Sequence, residues 1–243
     1  MIDQLPNYFT IIFGLTTLMA LVIFYVVVDN SEGCEYNVNA PNIIIGLTFW
    51  LILQAFLSFY NVYKDPKHLE IIPPYIALFG TIPTLITIFI FFFTKKGKMF
   101  IDSLPLKTLT YLHVVRVPVE VMLYMLLIEK ALPSVMTFVG FNFDILAGIT
   151  APFIAYFGFT KKTLSKKVIL IWNYISLALL FNIMILAVLS APTPLQMFGK
   201  EQPNIAILNF PYSWLPTFIA PLVLLSHLVC IRRLKFSDKT MEE

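Results

Sequence analysis

The segment Leu112–Glu120, LHVVRVPVE, sets three ionisable side chains in otherwise apolar sequence. At about 100° per residue, His113, Arg116, Glu120 and Tyr124 fall within about 80° on one helix face. Arg116 and Glu120 are four apart, the spacing at which side chains pair along a helix. In a helix that crosses a bilayer both would sit near the middle of the span. There an Arg or a carboxylate costs about 2.5–3.5 kcal/mol or more, so both must turn inward.

Three chemistries are open to this pair. In a ligand or transport site, Arg116 would hold an anionic group while Glu120 carries a proton or balances charge. In a membrane-embedded enzyme, Glu120 would be the acid or base and Arg116 the electrostatic clamp. In a structural or complex-forming subunit, the pair would fix helix packing and register. The leading reading is the first: binding or translocation of a small anionic or amphipathic molecule, without catalysis.

Other apolar runs offer partners at matching depth. Counted from the inner end of each run at about 1.5 Å per residue, Arg116 lies about 15 Å deep, Gln54 about 18 Å and Ser176 about 12 Å. Trp50, Gln54 and Asn61 share one face of the second run, which points that face into the bundle. His113 is about 10 Å deep, and His227 and Asn173 about 6–8 Å. The expected layout is a midplane Arg–Glu–Gln centre with a His–His–Asn layer on its cytoplasmic side.

Two histidines at similar depth on different helices can ligate haem iron, so redox chemistry at His113 and His227 is the enzyme alternative. No His or Cys spacing supports zinc, and no metal site is expected. Cys34 and Cys230 are too few for a disulfide framework. There is no Gly-rich phosphate loop and no GxSxG elbow. The last run has no Lys to form a retinal Schiff base. His68, in KDPKHLE, reads as a solvated loop residue.

The elements that position these residues are set by composition. The 243 residues are 58% hydrophobic and 13% charged, and the mean hydropathy is +0.82. Soluble domains are about 45–50% apolar and about 25% charged, so lipid is the better solvent here. The length suits one all-α bundle, a single domain over residues 1–243. A net charge of +3 without a basic stripe gives no support to nucleic-acid binding. Oligomeric state and protein partners are not legible.

A bilayer core about 30 Å thick needs about 20 apolar residues. Six such runs stand out, near 8–28, 42–63, 73–93, 144–159, 168–190 and 213–231, and a seventh, 106–128, carries the charged segment. The first has no basic flank and is long enough to span, so it is not read as a cleaved signal. The fifth is short and must extend backward or tilt. Prolines 73, 83, 118, 152, 216 and 221 are tolerated in lipid where neighbouring helices satisfy the freed backbone groups.

With the N-terminus outside and the C-terminus cytoplasmic, the inner side receives twelve Lys and Arg, including Lys95, Lys96, Lys98, Lys107, Lys161, Lys162, Arg232, Arg233 and Lys239. The outer side receives four: Lys64, Lys67, Lys130 and Lys200. That asymmetry sets the orientation. The acidic first inner loop, Asp29–Asn39, contributes no basic residue. A re-entrant fifth run would reduce the count to six and put both termini on one side.

Two outer connections, Ala131–Phe143 and Ala191–Tyr212, are apolar and proline-rich. They are expected to pack on each other as a cap; alternatively they lie in the interface beside Trp214, an aromatic-belt residue. The third and seventh runs both open with Pro-Tyr and carry a Pro eight or nine residues later. This permits a 3+1+3 parallel repeat, although the first and fifth runs do not match.

The segments LHVVRVPVE, FNFDILAGITAP, LSAPTPLQMF, QPNIAILNFPYSWLP and PLVLLSHLVCIRRL resemble those of a bacterial family of multi-pass membrane proteins without an established activity. The likeness covers roughly residues 105–235. It implies a bacterial inner (plasma) membrane setting and assigns no cofactor or site.

Overall fold

A computed structural model of the chain describes residues 5–31 and 39–236. Cys34, Lys239 and most of the acidic first loop lie outside the described residues. Among the described residues every regular element is helical. Apart from short helical turns in the connections, they are, in chain order, α1 (Asn7–Asp29), α2 (Ala40–Phe59), α3 (Ala77–Phe93), α4 (Lys95–Ser103), α5 (Leu106–Ile128), α6 (Ile145–Thr160), α7 (Lys166–Ser190) and α8 (Leu215–Ile219 continued by Ala220–Phe236).

Among the described residues α1, α2, α5, α7 and α8 are each long and apolar enough to cross a membrane. The pair α3 and α4 would add a sixth as a broken span, bent by 93° at Thr94. The Thr94 Oγ1 accepts from the Gly97 N–H at 3.0 Å and starts α4 in its new direction. Large side chains such as Phe49 and Phe93 stand 68% and 67% exposed, as lipid-facing positions do.

Burial ranks the helices: 67% of the apolar window of α8 and 50% of that of α5 are buried, against 17% for α2. The centre of the bundle is therefore α5 and α8, with α6 and α7 against them.

The prolines shape both partners of that centre. Pro118 supplies no N–H, and the turn before it, His113–Val115, tightens to a 3₁₀ helix. In α3 and α8 the first turns widen instead to π helices, Ala77–Thr81 and Leu215–Ile219, which pack on each other. A third π turn, Tyr156–Thr160, ends α6.

The carbonyls four residues before Pro83 and Pro221 are those of Phe79 and Thr217. Both receive donors from α2: Gln54 Nε2 donates to the Phe79 carbonyl at 3.1 Å, and Trp50 Nε1 to the Thr217 carbonyl at 3.0 Å. In this one respect α3 and α8 correspond, each served by a donor from α2. Gly80 permits their approach, since a Cβ there would lie 2.3 Å from Thr217 Cγ2.

The connections 131–143 and 191–212 pack on each other at one end of the bundle. Gln202 Nε2 donates to the Leu132 carbonyl at 2.6 Å and to that of Leu127 at 3.1 Å, and the Ala206 N–H donates to the Ala131 carbonyl at 3.3 Å. Ala131, Leu132, Met136, Asn142, Ala206 and Leu208 are buried. At the opposite end the Arg232 Nε and Nη2 donate to Asp102 at 2.9 Å each, and Arg233 donates to the Leu104 carbonyl, tying α8 to α4 and the turn after it.

Candidate functional site

Arg116 opens the second part of α5, one residue beyond the 3₁₀ turn, and its guanidinium is buried. Its partner is Asp144 rather than Glu120. Nε donates to Asp144 Oδ2 at 2.6 Å, and Nη2 donates to Oδ1, closing a two-pronged ion pair. Nη2 also donates to the Ser176 carbonyl at 3.0 Å, and Nη1 to His227 Nε2 at 3.1 Å. The guanidinium is thus engaged by α6, α7 and α8 together. Such charge-assisted forks are directional, so the contact orients helices as well as neutralising charge.

Asp144 stands just before α6, where an acidic residue commonly caps its own helix. It makes no such cap, because its carboxylate is turned to Arg116. Gly148 allows the approach: a Cβ there would come within 2.8 Å of Val117 Cγ2 and 3.2 Å of Arg116 Cβ. Because the connection before α6 is folded into the bundle, Asp144 at the start of this short helix is buried against Arg116.

Glu120 faces Asn142 of that same connection. Asn142 Nδ2 donates to both carboxylate oxygens at 2.7 Å and to the Met136 carbonyl at 3.0 Å, while its Oδ1 accepts from the Asp144 N–H at 3.0 Å. One loop side chain therefore links the two acids.

On the far side of Arg116 lies the histidine layer. Arg116 has only donors, so His227 Nε2 accepts, and His227 Nδ1–H donates to Asn173 Oδ1 at 3.0 Å. The Ser226 hydroxyl gives its one proton to the Leu109 carbonyl at 2.8 Å, so His113 Nε2–H donates to Ser226 Oγ at 3.1 Å. His113 Nδ1 is then a buried acceptor without a hydrogen-bond partner among the described residues. The two imidazoles stack at 3.9 Å between centroids, with the Trp172 ring 5.5 Å from one and 5.8 Å from the other.

A haem does not fit this pair. Rings stacked at 3.9 Å leave no space for a macrocycle between them, and both nitrogens of His227 are already bonded. No group of three or more His, Cys, Asp or Glu among the described residues is arranged to hold a metal ion.

The structure therefore brings Arg116, His113, His227, Asn173 and Ser176 together, Ser176 through its carbonyl rather than its hydroxyl. Glu120 is linked to them through Asn142. Tyr124, half-buried, stacks on Phe138 at 4.9 Å and joins none of these contacts. Gln54 and Trp50 stand apart at the proline-containing turns, and Tyr63 donates to Gln54 Oε1. Asn61 is beyond the end of α2, with φ 60°, and shares no helical face with them. Asp144, Asn142, Ser226 and Trp172 are the members that sequence reasoning did not single out. A signal existed for the first two: FNFD places an amide and an acid in a connection that is otherwise apolar.

Between α3, α5, α7 and α8 and beneath the packed connections is a cavity of about 170 Å³. Arg116, Glu120 and Asp144 lie on its wall, Met136, Thr193 and Ile207 close it from the connections, and most of the remainder is aliphatic. A larger cavity of about 430 Å³, bounded by residues including Phe24, Trp50, Phe91 and Phe218, has no ionisable side chain in its lining.

Fold and site together define an all-helical protein with a charged network at the heart of an apolar bundle. Residues 73–235 match the domain of unknown function DUF8737, and the chain belongs to that family. The match runs from before α3 through most of α8 and so contains the whole network. No curated protein and no solved structure matches the chain.

Proposed function

We propose that the chain is a seven-span integral protein of a bacterial inner membrane that binds or translocates a small amphipathic molecule in the cavity beside Arg116, Glu120 and Asp144. The seven spans are α1, α2, α3, α5, α6, α7 and α8, with α4 lying along the cytoplasmic interface. The basic ends of α3, α6 and α8 support this orientation. At 16 residues, α6 extends about 24 Å, short of a 30 Å core, and the folded connection before it makes up the difference.

One observation carries the functional reading: the cavity joins aliphatic walls to a polar corner, the pattern of a small-molecule site. The π turns of α3 and α8 both line it, and such turns recur at functional sites. Arg116 cannot serve as the test, because its loss would strand Asp144. Ala187→Phe fills the cavity from α7 without touching a polar group. With 1-octanol as probe, the protein in lipid nanodiscs should bind one molecule saturably, and Ala187→Phe should lose that binding at unchanged melting temperature. Equal octanol binding in both proteins would overturn the reading.

A further inference from the structure

We infer that the head group this cavity takes is an alkylammonium-type cation, received by Glu120; the inference rests on reading the cavity as a ligand site. A lone arginine in a membrane helix suggests an anion site, but here the guanidinium is already committed. Its Nε and Nη2 hold Asp144, Nη2 also holds the Ser176 carbonyl, and Nη1 holds His227. An anionic head group would have to compete with a two-pronged carboxylate for that charge and leave Asp144 buried without a counter-charge.

Glu120 is in the opposite position. It is 1% exposed, yet it lies on the cavity wall. An ionised carboxylate has about four acceptor positions. The only nitrogen donating to Glu120 among the described residues is Asn142 Nδ2, which is shared between both oxygens and the Met136 carbonyl. No Lys, Arg or His nitrogen among the described residues forms an ion pair with it. With Arg116 held by Asp144, Glu120 is the acid on the cavity wall that has no paired cation among the described residues. The other polar groups on that wall, Thr81 and Thr193, are neutral hydroxyls.

An ammonium supplies what the carboxylate lacks, namely counter-charge and up to three hydrogens. The aliphatic remainder of the lining, including Leu123, Leu180, Ile183 and Val223, accepts a hydrocarbon tail. The polarity is thus that of a cationic amphiphile, with its head toward the centre of the bundle and its tail against α7 and α8.

Three probes with one tail separate the possibilities: octylamine, 1-octanol and octanoate, each titrated onto the full-length protein in zwitterionic nanodiscs. Octylamine should bind more tightly than octanol by roughly tenfold, the effect of one charge-assisted hydrogen bond, and octanoate most weakly. In Glu120→Gln, which keeps an acceptor for Asn142, the amine-to-alcohol ratio should fall to about one, all preference being electrostatic. A tighter octanoate, or an unchanged ratio in Glu120→Gln, overturns the inference. Octanol binding without amine preference overturns the head-group assignment alone, whereas binding of none of the three also removes the ligand-site reading. Should Glu120→Gln not fold, Ala187→Phe retains Glu120 but fills the cavity, and amine binding that survives it overturns the inference.

Discussion

At the scale of single residues, the central fact is that Arg116 and Glu120 do not pair although their spacing allows it. An i,i+4 pair along an exposed helix is worth only about 0.2–0.5 kcal/mol. A two-pronged arginine–carboxylate pair delivered from a second helix competes easily with that. Asp144 takes Arg116, and Glu120 is left to Asn142. The consequence for stability is directional. Arg116→Leu leaves a buried carboxylate without its cation and should cost about 3–5 kcal/mol, lowering the melting temperature in detergent sharply. Adding Asp144→Leu should restore most of the loss, because the stranded charge disappears with it. An Arg116→Leu protein that melts like the wild type would show that the pair is not the bundle's central contact. Spacing and depth in the sequence suffice to group His113, His227 and Asn173, since His227 and Asn173 project from α-helix and the short 3₁₀ turn that carries His113 shifts its height little. Asp144 escapes such counting: the connection before it is folded inward, and no periodicity describes that path.

At the scale of elements, the prolines decide where helices need outside help. The sequence marks Pro83 and Pro221 as positions whose preceding turn lacks an N–H, but the donor comes from a distant segment and carries no local signature. Trp50 and Gln54 look like members of a ligand site because polar side chains on an apolar helix must face inward. They do face inward, toward the carbonyls of Thr217 and Phe79 rather than toward Arg116. Gln54→Leu should therefore cost about 1–3 kcal/mol through the orphaned carbonyl and the Tyr63 hydroxyl. Pro83→Ala returns a backbone N–H to α3, so the Gln54→Leu penalty should shrink in that background. A double-mutant cycle on melting temperature reads the coupling directly. Strict additivity of the two substitutions would mean that Gln54 supports α3 in some other way.

At the scale of the whole molecule, the two ends differ in kind. One is closed by the connections 131–143 and 191–212, which bury their own apolar residues, and at the other the basic end of α8 is tied to α4 and the turn after it. The all-helical class is legible from apolar runs alone. The 93° elbow between α3 and α4 is not, because a short amphipathic segment after a span reads equally well as a loop. The short α6 matters most for topology: if it crosses, Lys130 and Lys162 lie on opposite sides, and if it turns back they share one. Single cysteines at Lys98, Lys130, Lys162 and Lys200, in a chain whose Cys34 and Cys230 are replaced by serine, resolve this in intact cells. A membrane-impermeant maleimide should label positions 130 and 200 and leave 98 and 162 unlabelled until the membrane is opened. Labelling of 162 together with 130 would convert α6 to a re-entrant element and place both termini on one side. The cavity would survive that result, since it is built from helix contacts. The direction from which its ligand arrives would not.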